Sequence, residues 1–237
     1  PFLGELKNKE RFTYLFLFLF FAFGISAHIN SSFTQERPKP SSLLYVYNSN
    51  DNSAIWATYD KTLIDWNAQF LGDKKTKVKT ADFNSLASKY GTGFTYMQEA
   101  PKKDIAAPWV DTLLDTIIGN ERILELCVTP KRKVNRLEVF TNDIQLNAVK
   151  VNGVVLSENF LSSRKQRLVT HYISNNDYTE LALSFPKDKK LELTFYESSN
   201  DLLSHKDFTV PSRPDYSIPM PFVLNDAILV TKTLRFD

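Results

Sequence analysis

The sequence predicts a mainly β fold: an N-terminal transmembrane helix, then an antiparallel β-sandwich-like domain with one or two short helices. Residues 12–29, FTYLFLFLFFAFGISAHI, carry no formal charge from Phe12 to Ile29. Segments such as LALSF and LELTF alternate apolar and polar residues, the rhythm of a strand with one face in a core. Gly119-Asn120 and Asn152-Gly153 sit between apolar runs, where a tight hairpin needs positive φ. The expected organisation is a flank and span over residues 1–29, a linker over 30–42 and one β domain over 43–237.

A helix of about 18 residues reaches about 27 Å, close to the thickness of a bilayer's hydrocarbon layer. Lys7, Lys9 and Arg11 precede the run, so the positive-inside bias holds that end in the cytoplasm and sends the rest of the chain across. A secretory signal shows the same order, and Ser26-Ala27 offers small residues for cleavage. The opening Pro1-Phe2-Leu3, with no initiator Met, argues instead for a piece of a longer protein. A buried core helix is disfavoured because the run has no polar face. The lipid bilayer is thus the first expected partner, through Phe12 to Ile29.

The linker NSSFTQERPKPSS is polar, and Pro38 and Pro40 favour extended chain. Its Asn30-Ser31-Ser32 triplet fits a glycosylation acceptor but abuts the membrane. SLLYVYNSNDNSAIWATYD reads as two strands around a turn from Asn48 to Ser53. DKTLIDWNAQFL is the soluble helix: Asp60 is its expected cap, Leu63, Ile64, Trp66, Phe70 and Leu71 share helical spacing, and Gly72 stops it. GDKKTKVKTADFN follows as a solvated basic loop.

Strand rhythm begins near Tyr90. The runs around Gly119-Asn120 and Asn152-Gly153 form hairpins. Leu181, Leu183 and Phe185 share one face of a strand, as do Leu191, Leu193 and Phe195, with Pro186-Lys187-Asp188 turning one strand into the next. Residues 210–221 hold four prolines and belong outside a sheet centre. AILVTKTLRF closes the chain as a last strand. Roughly ten strands at this spacing argue for two packed antiparallel sheets.

A net charge of +2 does not point to nucleic acid. The single cysteine, Cys127, excludes an internal disulfide, which suits a bacterial envelope, and it reads as a small core hydrophobe. Of the three histidines, His28 ends the span, His171 alternates with Val169 and Ile173 in a strand, and His205 lies in a loop. His205-Lys206-Asp207 could offer metal two ligands from one extended segment. A zinc hydrolase needs more ligands and a general base, and no glutamate or histidine follows His205. Cys127 with His171 lacks a neighbour to form the thiolate. Gly91-Thr92-Gly93 lacks the third glycine and helix of a phosphate loop. No catalytic, cofactor-binding or metal residue is assigned.

The apolar span, the proline linker and the segments PSSLLYVYNSNDNSAIWATYDKTLIDW, SKYGTGFTY, TPKRKVNRLEVF, FTVPSRP and IPMPFVLNDAILV together resemble the C-terminal portion of large multi-span zinc exopeptidases. These are bacterial relatives of the vacuolar membrane protease and the endoplasmic reticulum metallopeptidase. The resemblance implies a two-zinc aminopeptidase domain upstream, further membrane helices, and a β-rich end on the extracytoplasmic side, periplasmic or lumenal. It implies zinc for the parent protein only, with the upstream peptidase and membrane domains as partners. The family's ligands include a His-x-Asp and a Glu-Glu pair; His205-Lys206-Asp207 mimics the first in the wrong place, and no Glu-Glu occurs.

The expectation is therefore a non-catalytic accessory domain of a membrane zinc aminopeptidase. The alternative is an anchored sandwich that binds a protein partner through an edge strand, or carbohydrate through Trp56, Trp66 or Trp109. Core packing is the expected role of all three tryptophans.

Overall fold

The fold is given by a computed structural model, which describes residues 9–73, 75–77 and 93–237. Most of the predicted basic loop and Gly91-Thr92 lie outside the described residues. Helix α1 spans Lys9–Ile29 and buries none of its residues. It is long and apolar enough to cross a membrane. The chain then forms β1 (Lys39–Ser41), β2 (Leu44–Asn48), β3 (Ser53–Thr58), α2 (Asp65–Leu71), β4 (Thr76–Lys77) and β5 (Tyr96–Glu99). Next come β6 (Trp109–Ile118), β7 (Glu121–Thr129), β8 (Arg136–Thr141), β9 (Ala148–Val151), β10 (Val154–Val155), α3 (Glu158–Ser163) and β11 (Arg167–Tyr172). The chain ends with β12 (Thr179–Pro186), β13 (Leu191–Ser199), β14 (Ser217–Pro219) and β15 (Ala227–Phe236).

Two compact units result. One holds α1 and runs to Lys39, joined by Pro214–Ile218; the other holds Pro40–Arg213 and Pro219–Asp237. In the first, the Lys39 amide donates to the Tyr216 carbonyl at 2.8 Å. The second unit carries a five-stranded sheet, β10-β9-β12-β7-β6, and an eight-stranded sheet, β11-β8-β13-β15-β2-β3-β5-β4.

The two sheets share a core. Leu124, Leu126 and Val128 of β7 and Leu181, Leu183 and Phe185 of β12 meet Leu137 and Val139 of β8 and Leu193 and Phe195 of β13. Farther along the same face of the large sheet, Tyr45, Trp56, Ile228 and Val230 pack under Trp66 and Leu71 of α2. Its opposite face buries Leu44, Val46, Phe140, Tyr196 and Leu229 under Phe94 and Leu224. The central strands are thus dry on both sides, which is why LLYV and AILV read as unbroken apolar runs rather than alternating ones.

The strand prediction holds, with corrections. There are fifteen strands among the described residues, more than the roughly ten predicted, because short pieces such as β4 and β10 carry no periodic signal. Not every pair is antiparallel: β15 lies parallel to β2, with Ala227 opposite Leu44. Lys187-Asp188 joins β12 to β13 across the core, from one sheet to the other. On β13 the predicted alternation holds from Leu191 to Phe195; beyond it Tyr196 and Ser198, on the other face, are also buried, since a second apolar layer covers that side.

Both tight hairpins form. Ile118 faces Glu121 around Gly119, at φ 63°. Val151 faces Val154 around Asn152 and Gly153, at φ 46° and 80°, the paired positive values of a two-residue turn that follows the sheet twist.

Two local predictions change. The helix starts at Asp65, with Ile64 at its cap position, because the Asp60 carboxylate is engaged elsewhere. It accepts from the Ser42 amide at 2.8 Å, the Ser42 hydroxyl at 2.7 Å and Asn67 Nδ2 at 2.9 Å. The linker correspondingly ends early: Ser41 and Ser42 are fully buried, Ser42 tied into the domain by that carboxylate and Ser41 by Arg213, which donates to its hydroxyl.

Candidate binding cleft

The site begins with an irregularity in β11. Arg167 lies opposite Phe140 of β8, Val169 opposite Val139 and Thr170 opposite Glu138, with the register shifting between Arg167 and Val169. Strict alternation would put Arg167 and Thr170 on opposite faces. The extra residue, Leu168, turns into the core, so Arg167 and Thr170 both face outward. Tyr172 lies opposite Arg136 on that same face.

The result is an open cavity of about 640 Å³, lined by Arg136, Glu138, Arg167, Thr170, Tyr172 and neighbouring apolar side chains. The Glu138 side chain is only 3% exposed. Its Oε1 lies 3.1 Å from Arg167 Nη1 and 3.4 Å from the Thr170 hydroxyl, and its Oε2 lies 3.7 Å from Arg136 Nη2. A buried carboxylate requires such partners, since leaving it alone costs several kcal/mol. Two guanidiniums against one carboxylate leave the triad with one net positive charge. Tyr196 lies opposite Glu138 on β13; burial pushes its phenol up to about 12, and the Glu138 charge adds to the shift.

Phe160 and Phe222 complete the cleft. Ser157 caps α3 by accepting from the Phe160 amide at 3.2 Å, which holds the backbone that carries that ring. Phe222 holds φ 64°, a left-handed conformation that costs an L side chain about 1 kcal/mol or more. Cationic groups below aromatic rims suit a singly charged anionic group on an apolar body.

The residues weighed from the sequence lie elsewhere. His171 Nδ1 sits 2.7 Å from the Thr179 hydroxyl. His205 Nδ1 accepts from the Asp207 amide at 3.3 Å, with the Asp207 carboxylate 3.7 Å away, a turn closed on itself. His28 ends α1, exposed. Among the described residues no three His, Cys, Asp or Glu side chains converge.

Cys127 is half-buried but not in the core. Its neighbours Leu126 and Val128 point inward, and Cys127 faces outward opposite Asp111 and Glu180, as a period of two requires. Trp56 and Trp66 are core residues. Trp109 departs from the expectation at 53% exposed, because it opens an edge strand on the face away from the core. Its Nε1 donates to Asp111 Oδ1 at 2.6 Å, and Lys131 and Lys232 approach its ring at 5.7 and 6.0 Å.

The arginine cleft escaped sequence reasoning because Arg136, Glu138 and Arg167 belong to two strands, and the bulge that aligns them has no Gly or Pro to mark it. None of the protein-family signatures or curated protein sequences compared with the chain matches it.

Proposed function

We propose that the chain is a non-catalytic C-terminal accessory domain of a membrane-embedded zinc-dependent aminopeptidase. Peptide hydrolysis belongs to an upstream domain, and α1 tethers the β domain on the extracytoplasmic side. The observation that carries this reading is α1 itself: an apolar helix of 21 residues, none of them buried, leading into a β domain whose segments carry the resemblance. The basic residues before the span favour the orientation.

The test is to purify the chain alone and measure bound zinc and cleavage of aminoacyl substrates. Neither is expected; stoichiometric zinc with peptidase activity would sink the reading. Reading the coding sequence upstream of Pro1 tests the parent: further spans preceded by His-x-Asp and Glu-Glu motifs are expected, and a start codon a few residues ahead would contradict it.

Exposed Trp109 favours a second reading, an anchored sandwich that stacks its ring on a sugar. A glycan array decides it: binding that Trp109→Ala abolishes would support the sugar site, and no binding by the unaltered chain would remove it.

A further inference from the structure

Among the described residues, strand β6 ends the five-stranded sheet and pairs only with β7. It is ten residues long and proline-free, and Leu113, Leu114, Ile117 and Ile118 are all exposed. Long apolar edges are ordinarily blunted or covered, because their free backbone groups recruit another strand. At the sheet's other end β10 has two residues, too short to recruit one.

The order of residues in β6 says what covers it. Trp109-Val110, Asp111-Thr112, Leu113-Leu114, Asp115-Thr116 and Ile117-Ile118 alternate apolar and polar pairs, a pattern that reads the same in both directions. Against an antiparallel copy of itself, Trp109 meets Ile118 and Val110 meets Ile117. Asp111 meets Thr116 and Thr112 meets Asp115, so each carboxylate faces a hydroxyl donor and no aspartate faces another. Such pairs stabilise a sheet, whereas like charges directly opposite destabilise it.

A two-fold axis perpendicular to a sheet preserves its faces, so only side chains on one face can meet across it. In an ideal strand Asp111 and Thr116 would lie on opposite faces. Here the register shifts between Thr112 and Leu114. Asp111 lies opposite Cys127 and Thr116 opposite Ile123, both outward; Thr112 lies opposite Leu126 and Asp115 opposite Leu124, both toward the core. The bulge thus restores the face matching that self-pairing demands, with Leu113 and Leu114 at the axis.

We infer that β6 is a homodimer interface, at which two copies of the chain join their five-stranded sheets edge to edge through an isologous antiparallel contact. The experiment is sedimentation equilibrium of the full chain in detergent micelles, at concentrations up to about 50 µM, enough to saturate a contact of micromolar Kd. The unaltered chain is expected to be a dimer. Thr116→Asp sets like charges opposite each other at two symmetric positions and weakens the dimer about tenfold or more, while Thr116→Lys pairs with Asp111 and retains it. Both variants should keep the unaltered far-UV spectrum. In a Cys127→Ser background, Leu114→Cys gives a disulfide-linked dimer on mild oxidation, a readout independent of the charge variants. A monomer throughout, or a dimer indifferent to Thr116→Asp and not cross-linked through position 114, would overturn the inference; the latter would place the contact elsewhere, α1 included.

Discussion

Arg132 Nε lies 3.2 Å from Glu197 Oε1 beside the main core, and the Glu197 side chain is only 1% exposed. Arg132 also donates to the Glu197 carbonyl at 2.9 Å and to the Ser199 hydroxyl. Burial nevertheless dominates: it pushes the Glu197 carboxyl up from its ordinary 4.5 to about 7, with Arg132 opposing the shift. The folded pKa is above the unfolded one, so this group's contribution to stability is full below about pH 4.5 and is lost as pH rises through about 7. The loss is on the order of 3 kcal/mol. Denaturant unfolding of Glu197→Gln should therefore match the unaltered chain more closely at pH 5 than at pH 8, where the variant should be the more stable.

Arg132→Ala should have the opposite pH profile in its cost. Removing the guanidinium leaves a buried carboxylate without its cation, a loss of about 3 kcal/mol where Glu197 is ionised and less where it is protonated. Urea midpoints at pH 5 and pH 8 check this.

Asp60 holds the start of the domain to α2. Asn67→Ala removes the donor to Asp60 Oδ2 and the acceptor of the Ile64 amide, bonds of 2.9 Å each. The expected cost is about 2 kcal/mol, because a buried carboxylate oxygen loses its partner. Asp65→Ala, at an exposed neighbouring position, should change stability by less than about 0.5 kcal/mol.

The tryptophans should separate cleanly. Trp56 packs against Phe70 and Tyr45 at ring separations of 4.7 and 5.3 Å, and Trp56→Ala should cost about 3 kcal/mol or more. Trp109→Ala should cost less than about 1 kcal/mol. Thermal unfolding of the two variants beside the unaltered chain reads the difference directly.

Arg167→Ala should leave Glu138 with one cation, Arg136 at 3.7 Å, and the Thr170 hydroxyl at 3.4 Å. Because Arg167 is 46% exposed, water can partly replace it, and the expected cost is only about 1 kcal/mol. Its effect on binding a singly charged anion, read by calorimetry, should exceed its effect on stability.

The sequence announced what local chemistry controls. Helix α1 begins three residues ahead of the predicted run, and both hairpin turns and AILVTKTLRF lie at their predicted places, because apolar length, positive-φ dipeptides and strand rhythm are written in neighbouring residues. Pairing over long distance is not. Nothing near Asp60 reveals that Ser42 will claim its carboxylate, and nothing near Arg167 reveals the bulge that turns it toward Glu138. Trp109 and Cys127 show the same limit: alternation says that two faces exist, and only the finished sheet says which one is wet.

The position of β15 governs how the domain can be made. Because it lies between β13 and β2, the last of this sheet's strands in chain order is the one that unites strands made early with strands made late. Without it, both pairings that join the two halves of the large sheet, to β13 on one side and to β2 on the other, are missing. A premature stop ahead of Ala227 would not shorten the protein at its margin. It would split the sheet down its middle, and the product should be cleared by proteases rather than accumulate as a slightly smaller domain.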